Sequence, residues 1–289
     1  MTISLVTDSS CDLPASLIEQ YQIHVVPITI RFGETAYLEN VTITPTEFYH
    51  IMEQNKIFPK TSQPSVGEFV KTYTELAQVS DEIISIHVSS KLSGTCQSAT
   101  LAAAKVANII KVHVIDSLAG SAGAGWMLVQ TAQLIAQGNL SHQIIPIIEA
   151  KRPQISIFFA VDNLKFAQMS GRISKLQTMI GIIFNIKPII GLENGLIQVC
   201  GRVRSNRVAM EHIVELTQEK MMIVHVKSRF DAPVYVGVLH AQAPCRANTL
   251  LDLARSRLNI QDYFVKELAI SLAVHFGSGT LGLVAYPIE

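Results

Sequence analysis

Four short segments of this 289-residue chain concentrate hydroxyl groups just ahead of helical patterns. They are Thr7-Asp8-Ser9-Ser10, Thr61-Ser62-Gln63-Pro64-Ser65, Ser89-Ser90-Lys91-Leu92-Ser93-Gly94-Thr95 and Asp116-Ser117-Leu118-Ala119-Gly120-Ser121. Hydroxyls beside the free N–H groups of a helix start make a site for a carboxylate or phosphate without needing a cation. The same residue types are also ordinary N-caps and turn formers. One such loop therefore says little, whereas four at one sheet edge would converge on a cleft. In the second half, Gly171-Arg172-Ile173-Ser174 and Gly201-Arg202-Val203-Arg204 carry arginines suited either to bidentate anion contact or to solvated surface. His275 reads as a residue at a strand end before Phe276-Gly277-Ser278-Gly279, able to donate to an anionic head group.

Signatures of catalysis are missing from the sequence. There is no Gly-x-Ser-x-Gly elbow and no P-loop lysine motif. The glycines of Gly120-Ser121-Ala122-Gly123-Ala124-Gly125 are in the wrong order for a dinucleotide loop, and the next acid after Asp116 is Glu149. Asp8 has the chemistry of a phosphoryl acceptor, although capping is the commoner use of Asp in a turn. A phosphoryl-transfer or hydrolytic enzyme built on Asp8 and the hydroxyl loops is the alternative function. The nine histidines and four cysteines form no metal-ligand spacing, so no metal and no cofactor is expected.

The elements that must position these loops alternate in type. Strands are predicted at Ile3–Val6, Val25–Ile30, Glu82–His87 and Lys111–Ile115, with helices over about 14–21, 65–78, 95–107 and 121–136. Thr44-Pro45-Thr46-Glu47 and Ser65-Val66-Gly67-Glu68 are helix starts of the capping-box type. That rhythm implies a parallel sheet flanked by helices. Near Lys151-Arg152-Pro153 it changes. Strands then fall at Ile155–Val161, Ile186–Leu192, Leu196–Val199, 233–240, 264–270 and 281–286, with a short helix after residue 172 and longer ones over 206–222 and 245–258. Asn194-Gly195 marks a hairpin, so this sheet is mixed. The expected organisation is α/β in two domains, 1–152 with the parallel sheet and 153–289 with the mixed one.

Composition narrows the function further. Lys+Arg and Asp+Glu are both 23, giving a net charge of zero, which argues against nucleic acid as partner. Apolar residues reach 48% and charged residues only 16%, with a mean hydropathy of +0.31. Residues 117–148 lack any Asp, Glu, Lys or Arg, but Gln130, Gln133 and Gln137 mark a polar stripe, so a helix packed on a core is expected there rather than a membrane span. The start of the chain has no signal-peptide pattern, and the dispersed cysteines suit reduced thiols, hence a cytoplasmic location.

Taken in order, these stretches resemble the DegV family of bacterial fatty-acid-binding proteins. The resemblance rests on Val6–Pro14, Val26-Pro27-Ile28, Ile43–Tyr49, Lys60–Ser65, Ser89–Thr95 and Asp116-Ser117 in the first half. In the second half it rests on Val161–Leu164, Gly171–Ser174, Lys187-Pro188-Ile189 and His240–Pro244. It implies a protein that is not itself an enzyme and that holds one long-chain fatty acid in an apolar tunnel, with the carboxylate in an interdomain cleft. The implied head-group residues are Thr61, Ser93, Gly94 and His275. The implied partner is a separate ATP-dependent kinase that forms an acyl phosphate for phospholipid synthesis, engaged by Arg172 and Arg202, with transient contact to a membrane surface. Two departures stand out. Phe276 and Ser278 replace members of the usual turn after the His, and the segment after Ser117 is rich in Gly and Ala, as if to widen the tunnel.

Overall fold

The computed structural model describes residues 2–55, 57–162, 166, 186–224 and 233–288. It divides into two compact units, residues 1–152 with 269–271, and residues 153–268 with 272–289.

The first unit contains β1 (Ile3–Asp8), α1 (Ala15–Gln20), β2 (Ile23–Val26), β3 (Thr29–Phe32), β4 (Thr35–Leu38), α2 (Pro45–Asn55) and β5 (Lys60–Ser62). It continues with α3 (Val66–Leu76), β6 (Glu82–His87), α4 (Thr95–Lys105), β7 (Lys111–Asp116), α5 (Ala122–Ala136) and α6 (Ser141–Lys151). A parallel sheet runs β2-β1-β6-β7. Every residue of β6 is buried, as a central strand covered on both faces requires. Val6 and Ile83 from this sheet pack with Phe69 and Tyr73 of α3 and Ala99 and Ala102 of α4. The register sets His87 beside Asp116 and brings β1 alongside β6, so the strands end at one edge. Loops leaving that edge are where an open α/β sheet takes ligands.

The sequence reading is corrected in three places here. Val25–Ile30 is not one strand: β2 stops at Val26, and β3 begins a separate antiparallel sheet, β4-β3-β5. Pro27 lacks the N–H that would continue the ladder. The uncharged segment is two helices, α5 and α6, separated at Gly138 with φ +84. Gln130 and Gln133 are half-buried and Gln137 is exposed, while Ala122–Val129 are wholly buried. Among the described residues no helix is long and apolar enough to cross a membrane.

The Gly- and Ala-rich start of α5 also opens no space at Gly125. A Cβ there would lie 2.6 Å from the Cys11 carbonyl oxygen, so the glycine lets helix and turn touch.

The second unit contains β8 (Ser156–Ala160), β9 (Lys187–Glu193), β10 (Leu196–Val203), α7 (Asn206–Val224), β11 (Val234–His240), α8 (Pro244–Arg255), β12 (Ile260–Glu267), α9 (Ile270–Phe276) and β13 (Leu281–Pro287), α9 beginning with the residues assigned to the first unit. Its six-stranded sheet runs β10-β9-β8-β13-β11-β12. Only β11 and β12 pair in parallel, so the sheet is mixed. Asn194 and Gly195 both have positive φ, 49° and 77°, the geometry of a type I′ hairpin. The core joins Ile213 and Val214 of α7 and Leu250 of α8 to Val236, Val238 and Leu283 of the sheet. The strand expected over 264–270 is β12, shifted to Ile260–Glu267, and α9 follows it. Gly171-Arg172-Ile173-Ser174 and the short helix expected after it lie outside the described residues.

Candidate functional site

Of the four hydroxyl-rich loops in the first unit, the one after β1 is turned inward. Asp8 is 1% exposed. Its Oδ1 accepts from the Ser10 N–H at 3.2 Å and from the Ser10 hydroxyl at 2.5 Å. Its Oδ2 accepts from the Val88 N–H at 3.2 Å and lies 3.0 Å from Nδ1 of His87. Burial pushes this carboxyl up, but the His87 imidazole, the Ser10 hydroxyl and the Val88 N–H outweigh it and hold Asp8 below its ordinary range. An ionised carboxylate can only accept, so His87 Nδ1 donates. Nε2 lies 2.7 Å from Ser85 Oγ, which in turn shares a 2.8 Å hydrogen bond with the Tyr73 hydroxyl. Burial raises the Tyr73 phenol, which keeps it a donor. The result is a buried polar spine running Tyr73–Ser85–His87–Asp8.

Two further acids serve the same interior. Ser9 donates its hydroxyl to Glu39 Oε2 and accepts the Ile28 N–H at 2.9 Å. Glu39 Oε1 accepts the Ser271 N–H at 2.8 Å. Asp12 accepts from the Ser121 hydroxyl at 2.6 Å and the Ala269 N–H at 2.7 Å. Glu39, 1% exposed, is pushed up to about 7 by burial, with the Asp12 charge adding to it and the bonds from Ser9 and Ser271 opposing it. After β7, Asp116 holds Ser90 and the Leu118 N–H. Ser9, Ser10, Ser90 and Ser121 thus brace the loops, the turn and capping use that their residue types also allow. Asp8 has neither the exposure nor an uncommitted oxygen for phosphoryl transfer.

The rim is different. Thr61 is half-buried on β5, paired in register with Ile30. Beyond it, Gln63 reaches across to the loop after β6, donating from Nε2 to the Gly94 carbonyl at 3.2 Å and to Ser98 Oγ at 3.1 Å. A Cβ at residue 94 would come within 2.7 Å of Gln63 Cδ, so the exposed Gln63 side chain would have to shift to admit one. Ser93, half-buried, exchanges a 2.8 Å bond with Thr95 Oγ1 and accepts the Thr95 N–H at 3.3 Å. No side chain caps α4 at Gly94. The segment holding Thr61 and the Ser93–Gly94 loop are thereby brought together through Gln63. Ser65, by contrast, is spent on a complete capping box with Glu68.

In the second unit, His275 does not end a strand; it sits half-buried in the last turn of α9. Apolar and small residues over 270–274 suit either element, and the Gly277 N–H bond to the Ala273 carbonyl at 2.8 Å shows which was taken. The departures after His275 are accommodated. Phe276 stacks on Phe159 with centroids 5.5 Å apart, and both glycines keep positive φ. Arg202 is exposed on β10. Arg172 lies outside the described residues.

Glu39, Asp12, His87 and Gln63 are given no role by the sequence reading. Only the 79-residue separation closed by the β1–β6 pairing makes Asp8 and His87 partners. Among the described residues no group of His, Cys, Asp or Glu could hold a metal ion. Burial pushes the Cys96 thiol up to about 12, leaving it an inert core group.

Comparison with known proteins covers the whole chain. Protein DegV of Bacillus subtilis is 32% identical over 284 residues, 98% of each chain. A fatty acid binding DegV family protein from Thermus thermophilus superimposes with a TM-score of 0.91 at 32% identity, covering 100% of both chains. The structure of DegV from Bacillus subtilis, a fatty acid binding protein, gives 0.89 at 31% identity, again with 100% coverage of both. The model of the DegV family of uncharacterised proteins matches residues 2–288, and this chain belongs to that family.

Proposed function

We propose that this protein is a fatty-acid carrier rather than an enzyme. It holds one long-chain fatty acid in an apolar tunnel and presents the carboxylate to a separate ATP-dependent kinase. The observation that carries the reading is full-length likeness, above 30% identity, to two proteins that bind fatty acids. The hydroxyls of Thr61 and Ser93 and the backbone at Gly94 hold the carboxylate, with His275 as a further donor. Hydroxyls and N–H groups suffice for a carboxylate at a helix start, and Gly94 begins α4 with no side-chain cap of its own. Each buried CH₂ of the ligand contributes about 0.8 kcal/mol, so a sixteen-carbon chain contributes on the order of 10 kcal/mol before the costs of association. The polar groups need only orient it.

The partner kinase moves the terminal phosphoryl group of ATP to the presented carboxylate, releasing ADP and an acyl phosphate for phospholipid synthesis. Arg172 and Arg202 engage that kinase, and the carrier works in the cytoplasm with transient contact to a membrane surface. The enzyme reading through Asp8 has no observation in its favour.

Native mass spectrometry of the purified protein, with solvent extraction of its cargo, tests the carrier reading. A stoichiometric fatty acid is expected; an empty protein that also refuses added fatty acid overturns it. Ser93→Ala and Thr61→Ala should each weaken uptake about tenfold, the loss of one hydrogen bond to a charged group. Full affinity in both variants and in the double variant would remove the head-group assignment.

A further inference from the structure

The stretches at 161–164, 187–189 and 240–244 have no role in the carrier reading, yet the second unit gathers members of all three behind the turn that follows His275. The Gly279 N–H donates to the Ala241 carbonyl at 2.7 Å, and the Ala241 N–H donates to the Thr280 carbonyl at 3.0 Å. Beside Ala241, the Gln242 N–H donates to Glu267 Oε1 at 2.8 Å, and Glu267 Oε2 lies 2.9 Å from His240 Nδ1. Gly277 and Gly279 have φ of 77° and 84°, a path that L side chains rarely take.

Asp162, just past the end of β8, forms the wall of this turn. A Cβ at residue 279 would lie 2.7 Å from Asp162 Cγ, so the carboxylate rests directly on the glycine backbone. The carboxylate cannot swing away, because both oxygens are taken. Lys187 Nζ donates to Oδ1 at 2.5 Å, and Arg246 donates to Oδ2 at 3.2 Å. All three side chains are mostly buried, with exposures of 20–29%, where such pairs are weakly screened.

We propose that Asp162 is a positioning residue for His275: pinned by Lys187 and Arg246, it fixes the Gly277–Gly279 turn and thereby the angle at which the imidazole meets the ligand carboxylate. Asp162 itself touches no ligand. The inference rests on the assignment of His275 to the head group.

The test is a binding cycle with two probes, palmitate and hexadecanol, which share a chain but differ in the carboxylate. Asp162→Ala should weaken palmitate about tenfold, leave hexadecanol unchanged, and cause no further loss in a His275→Ala background, the signature of coupled residues. Should Asp162→Ala fail to fold, Arg246→Gln carries the test, with a loss of about threefold and the same pattern. Equal losses for both probes, or losses additive with His275→Ala, would show a purely structural role and overturn the inference. Weakened binding in His275→Ala with full affinity in Asp162→Ala and Arg246→Gln overturns it alone. Full palmitate affinity in His275→Ala, or no uptake of either probe by the unaltered protein, overturns it together with the role of His275.

Discussion

The Tyr73–Ser85–His87–Asp8 spine and the Thr61–Gln63–Ser93 rim lie in one unit, but they place their hydroxyls at different depths. In the spine Ser85 bonds to both Tyr73 and His87, and the chain ends on a carboxylate with four donors around it. At the rim Thr61 and Ser93 stay half-buried, with a glycine between them and the start of a helix. A closed network stabilises because nothing in it is left over. The rim is less deeply buried, and its bonds run between neighbouring loop residues and across to Gln63. Residue type does not separate the two; depth of burial does.

The sharpest way to break this contrast is to remove His87. His87→Ala leaves Ser85 and the buried Asp8 carboxylate each short of a partner and opens a void, and should cost about 3 kcal/mol of stability. Urea unfolding measures this, and in the same assay Ser93→Ala should cost about 1 kcal/mol or less. Similar losses in the two variants would erase the distinction between spine and rim.

A second test compares the acids within the interior. Asp8 has a depressed folded-state value, so its contribution is present above its ordinary value of 3.8 and fades as pH falls through the lower folded one. Glu39 runs the other way. Raised from 4.5 to about 7, it binds a proton in the folded protein that the unfolded chain has released, so its contribution is full below 4.5 and is lost as pH rises towards 7. Glu39→Gln keeps an acceptor for the Ser271 N–H while removing the ionisable group, at the cost of facing the Ser9 hydroxyl with an N–H in place of an acceptor oxygen. It should flatten a decline on the order of 2 kcal/mol between those pH values, read from urea midpoints across the range. An unchanged slope would mean that Glu39 is ionised throughout. A similarly small effect is expected at Ser65, where Ser65→Ala removes one bond of the α3 capping box and should cost about 1 kcal/mol, measured as a shift in melting temperature.

Much of the scaffold was legible because its signals are local. Glu82–His87 is one unbroken apolar-rich run, and it is β6. The helix starts at Thr44 and Ser65 follow from capping chemistry within four residues, and Asn194-Gly195 carries its own turn geometry. The three short strands β3–β5 escaped because three or four residues carry too little periodicity to register. Over 270–276 the apolar pattern fits a strand as well as a helix, and His275 lies in the last turn of α9 where the pattern also allows a strand end.

At the candidate site the sequence by itself determined which residues could hold an anion: hydroxyls before helices, a glycine at the start of α4, a histidine before a glycine turn. It also determined family membership, since the motifs run in order along the whole chain. Only the tertiary structure decided which hydroxyls brace the interior. That choice depends on partners far apart in sequence, such as Asp8 with His87 and Ser9 with Glu39, which come within bonding distance only when the strands pair. Hydrogen bonds act over about 3 Å, so a residue's role is set by whichever group the fold places there, and linear spacing does not carry that information.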